Sequence, residues 1–304
     1  MRDHGAVLYS IMLYNGVMLM TAIILFIFGL AFGSFFNVVA MRYDGERFVF
    51  SSKQIGGRSH CPHCKRTLSW FELIPLASFL IQGGHCRTCR TRLSFAYPVT
   101  ELVTGLIFVL VPWRVSVFYG VTGSALVALA ALWVAVFCTL LLISQIDLRL
   151  GIIPDELTVL LVGLGAAIIF VLQTGVQEPL SFLWLPTIGL DASAGIWLSH
   201  VVGALVGVGF LGALWLLTKG RGMGMGDVKL ALPLGLLLGW PDVIGAFVAA
   251  FVIGAVVGVA AIFAKRKTMQ SAIPFGPFLA LAVLVIFFWG QAIVQAYLRI
   301  VGIG

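Results

Sequence analysis

The chain has 304 residues, of which 61% are apolar and 10% charged, with a mean hydropathy of +1.08 and a formal net charge of +7. Those proportions exclude a water-soluble globule and describe a polytopic membrane protein. The positive charge does not read as nucleic-acid binding, because the basic residues sit in short loops between apolar segments, where they set membrane orientation.

Segments long enough to cross the hydrocarbon core are predicted at about 17–41, 95–111, 117–146, 156–173, 196–218, 243–264 and 274–297. The first lacks a strongly basic leader and runs into Arg42 rather than a small-residue cleavage site, so it is expected to stay as a transmembrane helix. An eighth segment, 228–240, rises only about 20 Å against a core of about 30 Å and is expected as a half-spanning helix shielded by its neighbours. The stretch 174–195, with Pro179, Pro186 and Asp191, reads as an extracytoplasmic loop carrying aromatic residues at Phe182 and Trp184. No internal repeat is read along the chain.

Nine of the nineteen basic residues lie between Arg42 and Arg92, and most of the others are Arg149, the group Lys219, Arg221 and Lys229, and the cluster Lys265-Arg266-Lys267. The excess of Lys and Arg on cytosolic loops places 42–94, 147–155, 219–227 and 265–273 in the cytosol. Both termini then lie outside.

The polar stretch 42–94 is too short to be held by a core of its own. It carries a staple in Cys61-Pro62-His63-Cys64 and Cys86-Arg87-Thr88-Cys89, two C-x-x-C knuckles separated by 21 residues. Four thiolates in this arrangement suit tetrahedral zinc, and a reducing cytosol disfavours disulfides. A redox pair is the competing reading. His60, His63 and His85 flank the thiols as substitute ligands or bystanders, and Cys138, inside an apolar helix, reads as a small buried hydrophobe. The predicted organisation is a first transmembrane helix over 1–41, a tetracysteine loop domain over 42–94 and a helical membrane domain over 95–304. The fold class is an all-α polytopic membrane protein with about eight transmembrane helices, one short, and a small zinc-stapled cytosolic loop domain.

Two aspartates stand out, because a carboxylate at membrane depth costs about 2.5 to 3.5 kcal/mol and is rarely placed there without a task. Asp147 follows some thirty mostly apolar residues and sits where the third spanning helix ends; Asp155, after Pro154, reads equally well as a helix-start residue. Asp227 lies in Gly220-Arg221-Gly222-Met223-Gly224-Met225-Gly226-Asp227-Val228-Lys229, where glycines 224 and 226 remove bulk and admit positive φ, letting an extended substrate approach the carboxylate. A flexible loop without chemistry is the bland alternative, and a phosphate-cradling loop lacks the required spacing and preceding strand.

Gly224-x-Gly226-Asp227 with Val228-Lys229-Leu230, Asp147 closing on Ile153-Pro154-Asp155, the double C-x-x-C loop and Gly33-Ser34-Phe35-Phe36-Asn37 together resemble the type IV prepilin peptidase family. Tyr97-Pro98-Val99-Thr100-Glu101-Leu102 and Pro274-Phe275-Gly276-Pro277-Phe278 extend the likeness over residues 29–280. The resemblance implies an intramembrane aspartyl peptidase of the bacterial inner membrane that cuts prepilin or pseudopilin leaders at the cytosolic face. Asp147 and Asp227 are then the catalytic dyad, Gly224 and Gly226 shape the loop beside it, and Lys229 biases the local charge.

Many members also methylate the new amine with S-adenosylmethionine, and the long cysteine-bearing loop resembles those bifunctional members. Glu72 and Glu101 are candidate polar groups for that step, or simple interfacial carboxylates. Structural zinc on Cys61, Cys64, Cys86 and Cys89 would steady the loop. A peptidase without methyl transfer is the nearest alternative, a proton-coupled transporter would need repeat-like halves that are not seen, and a zinc scaffold would leave both aspartates idle. Helix polarity adds one expectation: Asp147 ends a helix and Asp227 begins one, so a shared proton favours Asp147.

Overall fold

The computed structural model describes residues 3–175, 192–264 and 273–301. Within them the chain forms ten α-helices and one 3-10 turn: α1 (Asp3–Arg42), α2 (Ser52–Ile55), the turn Trp70–Leu73, α3 (Ala77–Ile81), α4 (Ala96–Tyr119), α5 (Gly123–Leu150), α6 (Asp155–Gly175), α7 (Ala192–Leu217), α8 (Met225–Leu238), α9 (Asp242–Phe263) and α10 (Gly276–Val301). The only β pairing among the described residues is a pair of isolated bridges, His60 with Thr67 and His85 with Arg92. Among the described residues seven helices are long and apolar enough to cross a membrane. The expected eighth segment is a helix, α8, but at 14 residues it rises only about 21 Å and falls short of spanning length. The expected loop at 174–195, with Phe182 and Trp184, and the Lys265-Arg266-Lys267 cluster lie largely outside the described residues.

One boundary departs from the sequence reading in a way chemistry explains. The second span is expected to end at 111 and the third to start at 117, whereas α4 runs on through Pro112 and Arg114 to Tyr119 and is followed by Gly120, whose φ of +61° favours glycine. A proline is tolerated in a membrane helix where neighbours satisfy the freed backbone groups. Arg114 is buried because its Nε donates to the Phe287 carbonyl at 2.9 Å and its guanidinium lies 4.7 Å over the Phe118 ring.

The chain divides into two compact units, Met1–Arg42 with Phe50–Trp113, and Tyr43–Val49 with Arg114–Gly304. In the first, α1 and the start of α4 approach closely because glycines face the crossing. A Cβ at Gly29 would lie 2.7 Å from the Thr104 carbonyl oxygen, and one at Gly33 would lie 2.7 Å from the Glu101 Cα. The spacing is the small-xxx-small pattern of membrane helix pairs, which needs no apolar driving force because lipid is as apolar as a side chain. Phe28, edge-on, and Phe32, tilted, pack on Phe108 beside it, with centroids 5.8 and 5.5 Å apart.

In the second unit α8 is shielded as expected, packed against α6 and α7 with Leu230, Ala231 and Leu234 fully buried. Its approach to α7 again depends on glycine: a Cβ at Gly203 would lie 2.7 Å from the Gly235 carbonyl oxygen. Trp133 and Phe137 of α5 close on Phe287 of α10 at 4.7 and 5.0 Å.

Replacing Gly33 by leucine is expected to destabilise the first unit by about 1 to 3 kcal/mol, the usual cost of overpacking. Gly163→Leu, where a Cβ would meet nothing within 4 Å, should leave the melting temperature in detergent unchanged, so the two variants measured together separate the crossing from any general effect of losing a glycine.

Candidate active site and metal centre

The second unit positions both aspartates at helix ends. Asp147 lies in the last turn of α5, which stops because Gly151 takes the left-handed conformation at φ +68° and turns its N–H back to the Asp147 carbonyl at 2.8 Å. The Asp147 carboxylate is buried and accepts the Gly276 N–H at 3.0 Å. Asp227 sits in the first turn of α8, also buried, and its carboxylate reaches back to the Gly224 N–H at 3.2 Å, half of a capping box. The charge of Asp147 acts on Asp227, so the two carboxylates lie within electrostatic reach of each other. Ile153 fills the space behind them: a Cβ at Gly226 would lie 3.3 Å from its Cβ, and one at Gly276 would lie 3.5 Å from its Cδ1.

Of the two properties expected of the glycines, missing bulk and positive φ, the first is the one they supply. Neither Gly224 nor Gly226 has positive φ: Gly224 is extended at φ −73°, and Gly226 is already inside α8. What they supply is the missing side chain, because a Cβ at Gly224 would stand 3.3 Å from Asp227 Oδ2 and one at Gly226 would press on Ile153. The left-handed residues of this segment are Lys219 and Gly220, where α7 gives way to the loop. Lys229 turns to Asp155, with Nζ at 2.8 and 3.0 Å from its two oxygens. That pair is half-exposed or more, so it contributes at most about 1 kcal/mol and ties α8 to the start of α6.

The helix-polarity expectation counted only the helix that carries each aspartate. Asp147 also receives the first amide of α10, so each carboxylate meets one positive helix end. Gly276 is the residue that sequence reasoning left without a role, although Pro274-Phe275-Gly276-Pro277-Phe278 was singled out. Proline on either side and glycine at a helix start were the available signal.

The first unit builds the cysteine site. The sulfurs of Cys61, Cys64, Cys86 and Cys89 all lie within 4.8 Å of one another, with Cys61 and Cys89 3.9 Å apart, and none is in a disulfide. Four thiolates on a tetrahedral zinc at about 2.3 Å stand roughly 3.8 Å apart, which fits this cluster. His60, His63 and His85 are not among the grouped ligand atoms.

The knuckles are also a short internal repeat, contrary to the sequence reading. In the first, the Cys61 N–H bonds the Arg66 carbonyl, the Lys65 N–H bonds the Cys61 carbonyl and the Leu68 N–H bonds the Ser59 carbonyl. In the second, Cys86, Arg90 and Leu93 repeat all three bonds onto Thr91, Cys86 and Gly84, and Lys65 and Arg90 take left-handed φ of 59° and 56°. The matching stretches His60-Cys61-Pro62-His63-Cys64-Lys65 and His85-Cys86-Arg87-Thr88-Cys89-Arg90 were too short and divergent to register as a repeat without their bonding.

Of the two glutamates flagged beside this loop, Glu72 is fully engaged. It pairs with Arg66 and accepts the Ser69 N–H at 2.9 Å. Burial pushes its carboxyl up, but the Ser69 N–H and Arg66 outweigh that and hold it below the ordinary range. Glu101 is buried beneath the loop, accepts the Leu76 N–H at 2.8 Å and bonds Ser34.

Comparison with known proteins places both halves. Residues 27–115 match the bacterial peptidase A24 N-terminal domain, and residues 134–259 match the type IV leader peptidase family. Among similar proteins, a prepilin leader peptidase/N-methyltransferase of Bacillus subtilis (strain 168) is 32% identical, covering 91% of this chain and 97% of the relative. Proteins of the same description from Xanthomonas campestris pv. campestris and Aeromonas hydrophila are 32% and 33% identical, each covering 90% of this chain and 93% of the relative. No solved structure matches. The chain belongs to the type IV leader peptidase family.

Two outcomes are expected. Gly276→Ala puts a Cβ 2.7 Å from Asp147 Oδ2 and should lower peptide cleavage about 100-fold, the scale of an ångström's misplacement, while melting temperature holds. Purified chain should contain one zinc per molecule by elemental mass spectrometry, Cys61→Ser should lose it, and stripping the metal should open 42–94 to proteolysis.

Proposed function

We propose that the chain is a multi-pass peptidase of the bacterial inner membrane that removes the leaders of prepilins or pseudopilins and then methylates the new N-terminal amine. The observation that carries the cleavage step is the pair of buried carboxylates, Asp147 and Asp227, each held by one backbone N–H. Two carboxyl groups within electrostatic reach of each other cannot both ionise readily and share a proton. One takes a proton from the attacking water, and the other gives one to the oxygen of the scissile carbonyl. Gly224 and Gly226 keep the approach free of side chains, and Lys229 acts at one remove by holding α8 on Asp155.

The clustering of basic residues in 42–94, 147–155 and 219–227 supports a cytosolic site, at the face where a leader would emerge. The sulfur spacing supports zinc on Cys61, Cys64, Cys86 and Cys89 as a staple for a loop domain over 42–94, between the first helix (1–41) and the membrane domain (95–304). The names of the relatives support methyl transfer, for which S-adenosylmethionine supplies the methyl group when bound.

Cleavage of a prepilin carrying its leader and first apolar helix tests the reading. Asp147→Asn and Asp227→Asn should each cut about 10²- to 10⁴-fold more slowly, and mass spectrometry of the wild-type product should show one added methyl group only when S-adenosylmethionine is supplied. Full activity in either folded variant would overturn the dyad.

A further inference from the structure

The first unit carries a groove of about 380 Å³ at the point where the cysteine loop rejoins the membrane. Phe79 and Leu80 of α3, Gly84 and Arg92 of the second knuckle, and Leu93 and Phe95 ahead of α4 line it. Their contacts join α3, the knuckle and the start of α4 into one piece. The Gly84 N–H bonds the Phe79 carbonyl at 3.0 Å, and the Leu93 N–H bonds the Gly84 carbonyl at 2.8 Å. The Phe79 ring packs over Gly84, where a Cβ would stand 3.2 Å from its Cζ, and closes on Phe95 with centroids 5.3 Å apart.

Phe95 fixes the depth of this piece. It directly precedes Ala96, the first residue of a spanning helix, and the end of a span lies at the headgroup level, where aromatic side chains collect. α3, held to the same point through Phe79, lies at that level too. Leu80, Ile81 and Phe95 are 76, 85 and 75% exposed there. An exposed apolar patch marks a protein or membrane contact, and continuity with a spanning helix selects the membrane.

The charge pattern selects the lipid. Arg87, Arg90 and Arg92 come just ahead of α4, and no acidic residue lies between Glu72 and Glu101. Basic side chains immediately outside a spanning helix draw anionic headgroups. Of the three arginines, Arg92 lines the groove; it is exposed and forms no salt bridge among the described residues. A guanidinium meets a phosphate through two parallel N–H bonds.

We propose that this groove holds an anionic glycerophospholipid of the surrounding leaflet, with its phosphate on Arg92 and an acyl chain along Phe79, Leu80 and Phe95. The bound lipid and the apolar side chains of α3 together seat the cysteine loop on the bilayer. This seat is independent of whether the chain methylates its product.

Photocrosslinking of the purified full chain in nanodiscs tests it, with phosphatidylglycerol or phosphatidylcholine carrying a diazirine on the acyl chain. Relative to label on α9, peptides from 77–95 should take the anionic probe about fivefold more than the zwitterionic one, the effect of one basic side chain at an anionic surface. Arg92→Gln should remove that preference. Equal labelling by the two probes in the wild type, or an undiminished preference in Arg92→Gln, overturns the proposal. So does label missing from 77–95, the result expected if a protein partner or a second copy covers α3. Should Arg92→Gln lose its cooperative melting, displacement of the anionic probe from the wild type decides: unlabelled phosphatidylglycerol displacing it better than phosphatidylcholine supports the site, and equal displacement overturns it.

Discussion

An ionised group in so apolar a chain has to find its hydrogen bonds inside the protein, because hydrocarbon offers none and an unsatisfied group costs several kcal/mol. Three buried carboxylates solve the problem in one way. Asp147 takes the N–H of Gly276 at the start of α10, Asp227 that of Gly224 at the start of α8, and Glu101 that of Leu76 at the start of α3. The first amides of a helix have no partner within it. Each carboxylate therefore completes a helix that would otherwise end unsatisfied, and each helix end supplies favourable polarity to a charge that would otherwise be expelled. Arg114 and His200 follow the complementary rule on carbonyls, taking Phe287 and Leu236.

That arrangement makes shape, rather than added polar groups, the means of control. Gly276 must lack a side chain for its amide to reach Asp147, Gly226 must lack one for Ile153 to seat, and Gly33 must lack one for Ser34 to reach Glu101. Ile153 is the element common to the two aspartate-bearing ends, since it packs against both Gly226 and Gly276. A change of bulk at any of these points moves a carboxylate without replacing it.

Much of this was legible in the amino-acid order, and the exceptions share a cause. Spans of apolar residues, the knuckles and the isolated aspartates announce themselves because each is a local departure from composition. The Gly276 amide is 129 positions from the carboxylate it serves, so only the third dimension reveals the partner. The glycine crossings of α1 with α4 and of α7 with α8 carry the small-residue spacing in sequence, but which face meets which helix does not follow from it. Of the two properties read for Gly224 and Gly226, positive φ does not apply, because α8 begins at Met225, three residues before the segment expected at 228–240, and the lack of bulk is the one that does. The second span outruns its expected end at 111 because the helix-breaking tendency of Pro112 is strong in water and weak in a membrane bundle.

Cleavage depends on one shared proton between Asp147 and Asp227. The pH dependence of prepilin cleavage by the chain in lipid nanodiscs, followed under kcat/KM conditions, reads that proton directly. A shared proton predicts a bell, with cleavage falling on the acid side when both carboxyls are protonated and on the alkaline side when neither is. A rate that stays flat, or climbs steadily with pH without an alkaline fall, would contradict it.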